Sequence, residues 1–548
     1  MNYMKKIFIK IKNNPIYIIL FLTILSSIPI LISLGNYACH DLVFHFTRIK
    51  LIKDEILMGN IFSKMYHNAL YGFGYGSALF YPDIFLYIPA ITSCLGVSLA
   101  NSYKIFVILI NFFSILSIFY SVNNMTKNKN MGYVASIIYA LASYRLVDVY
   151  IRCAIGEALT FIFVPLIIYG LYIIMYEDYK KIHVLILSMT GIVYSHLISA
   201  FIMFFIISII CVINYKHFLR EKKRILYLLL SAIITVLLCC FFVLPLLEQL
   251  IDRDFYIYPN DYLGTLSDNA VPLYKTILEI DIKDNSTKWS PFGIGIIFAY
   301  IMYLKIKNFT KENINSYENK LFIIGVILLL MSTKLFPWSI FNETILSIQF
   351  PWRLYTFVTV LLTIVGSVVL VNRFGENMKL LMISLVIINL LPLAQCCYQY
   401  FIYPEISSNQ FKYELKTIGE NDYLPEEINP EELSYIVGKK YNLDVKDGKD
   451  FLIINYNKEN NPNKYIEVPY IYYLGYTAEY DNQELEIFKT NNGLVGIKTN
   501  NIDNGEIKVY YKNTKITNIS LILTFIGIII LVGYKLKIYK DNVDKNSL

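Results

Sequence analysis

Residues 36–83 read NYACHDLVFHFTRIKLIKDEILMGNIFSKMYHNALYGFGYGSALFYPD and lie between two apolar regions. The stretch holds three of the six histidines (His40, His45, His67), a charged run from Arg48 to Glu55, and the aromatic-glycine patch YGFGYG. Ionisable side chains held against a bilayer are costly to keep, so they are functional candidates by default. Just before this stretch, Pro15–Leu34 carries no charge and has about the twenty residues needed to cross a bilayer. Lys5, Lys6, Lys10 and Lys12 precede that run, which favours a cytoplasmic N-terminus. LISLGNYACH is a poor signal-peptide cleavage site, so the run reads as a retained anchor.

The 548 residues are 56% hydrophobic and 17% charged, with mean hydropathy +0.48; a soluble domain carries about a quarter charged residues. This is the composition of an integral membrane protein. The net charge of +7 does not point to nucleic acid, because the lysines cluster in short loops between apolar runs. The eight cysteines lie mostly in or beside apolar segments, none follows Cys397, and no CxxC pair suggests zinc.

Further apolar runs fall at about 102–121, 131–147, 157–175, 183–197, 198–214, 225–247, 291–306, 320–335, 354–371, 378–395 and 517–536, which predicts about twelve spans. The lysine-rich segments TKNKN, EDYKK, YKHFLREKKR, KIKNFTKENINSYENK, NRFGENMK and KLKIYK then all fall on the cytoplasmic side, as the positive-inside rule asks. That parity requires residues 84–99, short and containing Pro89, to be interfacial or re-entrant. The outer side receives 36–83, Arg152–Glu157, Ser195–His196, the loop 248–290, the stretch 336–353 and the segment 396–515.

Residues 396–515 alternate β-formers with polar residues, as in FLIINYN, KYIEVPYIYYLGY and EIKVYY. Asp447-Gly448, Asn492-Gly493 and Asn504-Gly505 are hairpin signals between such runs. The expected fold class is an α-helical polytopic membrane protein with a C-terminal extracytoplasmic β-sandwich-like domain. Its boundaries are 1–395 for the transmembrane domain, 396–515 for the β-rich domain and 516–548 for the final span and tail.

Four clusters could carry chemistry. On a helix from Asp41 to Glu55, Asp41, His45 and Arg48 share one face, with Lys50, Lys53 and Asp54 on the far side. An acid, an imidazole and a guanidinium aimed together suit a carboxylate base or metal ligand beside a phosphate. The same spacing also fits an interfacial helix whose charges face water or headgroups. His40 points about 100° away from Asp41 on such a helix, so the pair is a weak zinc signal; a hard divalent cation (Mg or Mn) on Asp41 fits better. The second cluster is SYRLVDVYIRCAIGEAL, with Arg145, Asp148, Arg152 and Glu157; snorkelling ion pairs are its plain alternative. The third is LLEQLIDRDF, with Asp252 and Arg253, and the fourth SIQFPWRLY, with Arg353. His196 falls on the same side. No GxGxxG or Walker A loop occurs in a nucleotide-binding context, and YGFGYG reads as a tight aromatic loop near the interface.

HDLVFHFTRI, YGFGYGSALFYPDIFLYIPAI, YRLVDVYIRCAIGEAL, IQFPWRLYTF and YYLGYTAEY together resemble the bacterial YfhO-like multi-pass proteins, some of them labelled 6-pyruvoyl-tetrahydropterin synthase related membrane proteins. The soluble pterin enzyme has a three-histidine zinc site, which this sequence does not show. The YfhO-like group is similar in architecture to GT-C glycosyltransferases. That resemblance implies sugar transfer from a polyprenyl-phosphate donor to a cell-envelope polymer or lipid at the non-cytoplasmic face. It further implies Asp41 as catalytic base or metal-linked carboxylate, with Arg48, Arg152 or Arg353 as donor-phosphate partners. His40 stands where the paired-acid members of that group have a second carboxylate. Two other classes remain open: a transporter or flippase of lipid-linked saccharide, and a non-catalytic envelope protein that binds glycan.

Overall fold

The structure is a computed structural model and describes residues 14–32, 39–251, 255, 265–283, 286–289, 293–308, 316–340, 348–402, 422–429, 433, 443–459, 464–500 and 502–546. Each of the twelve apolar runs contains a helix. Among the described residues five helical segments are long and apolar enough to cross a membrane: Leu99–Thr126, Ile155–Tyr176, Lys223–Leu250, Lys515–Lys540 and Pro351–Tyr398, the last of which turns at Gly375–Asn377 and so holds two helices. A sixth counts if Lys129–Ala140 and Ser143–Arg152, bent by 48°, form one broken span. Shorter apolar helices fill other runs: a turn at Ser27 ends Pro15–Ser26, and the turn at Ser195–His196 separates His183–Val193 from Leu197–Ile213, where the runs 183–197 and 198–214 meet. The helical stretch at Ile84–Cys94 is likewise too short to cross, as its parity requires.

Five helices frame the site: α1 (Leu42–Met58), α2 (Lys129–Ala140), α3 (Ser143–Val147), α4 (Ile155–Tyr176) and α5 (Leu354–Phe374). Helix α5 is apolar all round and buried along nearly its whole length, which makes it the central post of the bundle. At Gly375–Asn377 the chain turns into α6 (Met378–Ile402). Tyr355 and Cys396 both lie within electrostatic reach of Glu279. A straight helix would separate them by about 60 Å at 1.5 Å per residue, so the chain reverses between them. Helix α6 also runs seven residues past the expected domain boundary at 395. At the periphery, Lys223–Leu250 packs on the last helix, α7 (Lys515–Asn546), and both leave apolar side chains such as Leu229, Val236, Ile522 and Ile529 exposed.

The C-terminal region forms two antiparallel sheets. One has the order Asp444–Asp447, Phe451–Asn457, Asn504–Tyr511, Tyr476–Tyr480, Gln483–Leu485; the other has Tyr465–Ile471, Leu494–Lys498, Ile487–Lys489. Phe451–Asn457 alternates half-buried and buried residues, with Leu452, Ile454 and Tyr456 inward, which is the period-two pattern of a one-faced strand. Asp447-Gly448 and Asn492-Gly493 do sit in hairpins. Asn504-Gly505 does not: it opens the last strand and pairs with Asn457 and Tyr456, because the preceding strand, ending at Lys498, belongs to the other sheet. The hairpin after Tyr480 turns instead on Asp481 and Asn482, both at positive φ (48° and 63°), as a two-residue turn with right-handed strand twist requires.

The aromatic-glycine patch joins the two regions. Tyr66 and Tyr75 exchange backbone hydrogen bonds of 3.0 and 3.1 Å, the Ile471 N–H donates to Phe73 O, and Tyr75 Oη donates to Asp422 O. Gly74 has φ +83°, and a Cβ there would stand 2.8 Å from Tyr476 Oη; one on Gly76 would stand 3.0 Å from the Tyr473 ring. The glycines are where the β-rich region lies flat on the loop. Gly74→Ala is expected to cost about 1–3 kcal/mol through backbone strain and overpacking. The readout is a lowered melting temperature of the detergent-solubilised protein. An unchanged melt would mean that this contact does not hold the two regions together.

Candidate functional site

The local chain geometry around Arg152 comes from two helix breaks. Helix α2 stops at Ala140, α3 restarts at Ser143, and Asp148–Arg152 closes as a π-helical turn. Such single turns re-aim side chains and are frequent at functional sites. Cys153, at φ 53°, then reverses the chain into α4, whose first turn carries Glu157. An acid in a first turn faces the positive end of the helix dipole.

These breaks gather a buried polar network. Arg152 Nη1 donates to Asp148 Oδ1 at 2.6 Å, to Glu157 Oε2 at 2.7 Å and contacts Tyr144 Oη at 3.2 Å. Glu157 Oε1 accepts from Tyr144 Oη at 2.8 Å and from Thr356 Oγ1 at 3.2 Å, while Arg353 Nε stands 3.4 Å from Glu157 Oε2. Arg152, Asp148, Glu157 and Arg353 are all less than a tenth exposed. A charge so far from water is kept only when paired and hydrogen-bonded. Arg353 donates one hydrogen bond, from Nη1 to Ile348 O at 3.0 Å, and lies over the Phe350 ring.

Asp41 caps α1 at the edge of this network. Its backbone N–H donates to Arg152 O at 2.8 Å, and its carboxylate lies in the field of Arg152, Arg353, His40 and Glu157. Among the described residues that carboxylate makes no ion pair within 4.0 Å and no side-chain hydrogen bond, unlike Asp148 and Glu157. Burial pushes its pKa above the ordinary aspartate value, against the pull of the two arginines. Three carboxylates face two guanidiniums, and the uncompensated one is Asp41. His40 is exposed beside it, with burial lowering the imidazole's pKa more than Asp41 raises it.

Tyr81 was not singled out by the sequence reading, yet it links the first cluster to the others. Arg48 Nη2 donates to the carbonyls of Tyr81 (3.0 Å) and Pro82 (2.9 Å), and its guanidinium lies 4.5 Å from the Tyr81 ring centroid. Arg48 thus holds the YPD turn and does not reach Glu157. The rings of His45 and His196 flank Tyr81 at 5.9 and 6.2 Å. Asp83 of the same turn accepts from Tyr66 Oη at 2.5 Å. Proximity of Tyr81 to an acidic turn in SALFYPD was the available signal. A Cβ on Gly156 would stand 2.0 Å from Tyr81 Oη and 2.9 Å from Ser195 O. Gly156→Ala is therefore expected to displace Tyr81 and cost about 1–3 kcal/mol. Adding Tyr81→Ala should recover part of that loss in a thermal melt, and additive losses would refute the contact.

Apart from His196, which is within electrostatic reach of Arg353, Glu157 and Arg152, the other expected site residues lie elsewhere. Arg145 donates from Nη1 to Ala140 O at 2.9 Å and from Nη2 to Asn111 Oδ1 at 2.5 Å, and Asn111 in turn donates to Ser27 and Tyr150. It closes the break between α2 and α3 and is a structural residue. Lys50 and Asp54 pair at 2.8 Å on the exposed side of α1, as expected. His196 caps Leu197–Ile213, its Nδ1 accepting from the Ser199 N–H at 3.3 Å. Asp252 and Arg253 lie outside the described residues. A cavity of about 380 Å³ is at the far end of α5, beside Lys305, Asn308, Glu318 and Arg373.

The donor set does not fit a divalent cation. Among the described residues no three His, Cys, Asp or Glu side chains converge on one point. Asp148 and Glu157 are already neutralised by guanidiniums, which occupy the side a cation would approach.

A family model described as the 6-pyruvoyl-tetrahydropterin synthase related domain, membrane protein, matches residues 79–401. An uncharacterized protein of Lactococcus lactis subsp. cremoris (strain MG1363) is 25% identical over 339 residues, which are 59% of this chain and 54% of that protein. The chain thus spans about half the length of the curated relative it matches. A cryo-EM structure of the arabinofuranosyltransferase AftD from Mycobacteria aligns at TM-score 0.37 and 13% identity, over 70% of this chain and 26% of that one.

Proposed function

Starting from the chain's membership of the 6-pyruvoyl-tetrahydropterin synthase related family of membrane proteins, to which it belongs by a match over more than half its length, we propose that it is a membrane glycosyltransferase of GT-C type. Its donor is a polyprenyl-phosphate-linked sugar, and its acceptor is a hydroxyl of a cell-envelope polymer or lipid on the extracytoplasmic face. The observation that carries this reading is the convergence of half-buried Asp41 with buried Arg152, Glu157 and Arg353 from three separated segments into one cluster, in which Asp41 makes no ion pair among the described residues. Anchoring at a membrane surface gives no reason for such convergence.

The roles follow from the pairing. Asp41 takes the acceptor proton as the new C1–O bond forms and the bond to the phosphate oxygen breaks. Arg353, with only its Nη1 hydrogen bond and a 3.4 Å contact to Glu157, meets the departing phosphate. Arg152 is saturated by two carboxylates and holds the turn in place. No step is routed through a metal ion. Both termini are read as cytoplasmic, with the cluster on the outer side, from the lysine distribution.

Membranes containing the protein, supplied with a radiolabelled polyprenyl-phosphate sugar, should move label from the lipid fraction into envelope material, and membranes lacking it should not. Label that stays in the lipid fraction in both would sink the transferase. Because the Asp41 pKa is raised and the base must be ionised, the acid limb of kcat/KM should lie above the ordinary aspartate value of about 3.8. An acid limb at or below that value would remove Asp41 from the role.

A further inference from the structure

We propose that Cys39 and Cys153 form a disulfide that ties the segment carrying Asp41 to the turn carrying Arg152. The two thiols come from opposite sides of the helix Leu99–Thr126, yet both donate to one oxygen: Cys39 Sγ to Tyr150 O at 3.3 Å and Cys153 Sγ to the same atom at 3.6 Å. They are also in hydrogen-bonding contact with each other. The adjoining backbones are already paired, Asp41 N–H to Arg152 O and His40 N–H to Ile151 O, so closing the bond needs only side-chain movement. The vicinal pairs Cys239–Cys240 and Cys396–Cys397 have no such geometry, since consecutive helical residues point about 100° apart.

The exposures of the two thiols assign an order. Cys39 is half-buried and Cys153 fully buried. The Cys39 thiolate attacks the disulfide of a thiol–disulfide oxidoreductase, giving a mixed disulfide and releasing one thiol of that partner. The Cys153 thiolate then attacks the Cys39 sulfur and expels the partner's second thiol. Two protons and two electrons leave this protein, and the partner's disulfide is reduced to a dithiol. This rests on the placement of the cluster outside the cytoplasm, where disulfides persist, and not on sugar transfer.

The test is mass spectrometry of protein from acid-quenched cells, alkylated without reductant. The expected result is a peptide pair joined through Cys39 and Cys153, absent in Cys39→Ser and Cys153→Ser, with a melting temperature a few degrees lower after reduction. Alkylation of both cysteines in the wild type would overturn the proposal, and this measurement stands even if the variants fold poorly. A membrane-impermeant maleimide applied to intact cells carrying Cys153→Ser separates the two ways of failing. Labelling of Cys39 from outside, with wild-type thiols free, sinks the disulfide alone. Labelling only after permeabilisation sinks the outer placement and the disulfide together.

Discussion

Arg152→Met is expected to lower the melting temperature of the detergent-solubilised protein by about 3–5 °C, more than any other single change at the site. One nitrogen of Arg152 bonds Asp148 and Glu157, which are almost completely buried. Methionine keeps the volume but leaves three carboxylates facing one guanidinium, Arg353, whose approach to Glu157 is only 3.4 Å. Breaking a buried pair from one side costs about 3–5 kcal/mol, because the remaining charge is uncompensated. Asp148 Oδ2 already has no hydrogen-bond partner, so nothing nearby can take over. Removing a carboxylate as well, in Arg152→Met with Glu157→Gln, should restore a substantial part of the loss, since contacting charges couple strongly. An unchanged melt in the single variant would show that the network does not support the fold.

Asp41→Asn should behave in the opposite way: transfer falls by about 10²–10⁴-fold, while stability holds or rises slightly. The carboxylate makes no ion pair among the described residues, so no partner is orphaned. Its raised pKa means that any stability it lends the fold is present below the unfolded value and lost as pH rises through the folded one. At neutral pH its charge is a cost that asparagine removes. Transfer retained above a tenth of wild type would exclude Asp41 as the base. Transfer lost together with a collapsed melt would mean that Asp41 acts in folding instead.

Much of the site was legible as residue types. Asp41, Arg152, Glu157 and Arg353 stand out as charges at the ends of apolar runs, where retention is costly. Their roles were less legible. Arg145 and Arg152 lie seven residues apart and would share one face of a uniform α-helix. The π-helical turn at Asp148–Arg152 breaks that period, sending Arg152 to Glu157 and leaving Arg145 with Asn111. Tyr144 and Thr356 carry no charge, so nothing marked them. Arg48 looked like a phosphate partner by spacing, but its Nη2 is given to the carbonyls of Tyr81 and Pro82 in the YPD turn.

By itself the sequence determined that this is a membrane protein, where its helices lie and that its C-terminal region is β-rich. Those follow from composition and from periods of 3.6 and 2, which act over a few residues. The tertiary structure alone decided what the glycines of YGFGYG accommodate and which carboxylate of the cluster is left without an ion pair among the described residues. Each of these depends on contacts between segments tens to hundreds of residues apart: Gly74 against Tyr476, Glu157 against Thr356, Asp41 against Arg152. Pairing at that separation is set by packing, and no local pattern encodes it.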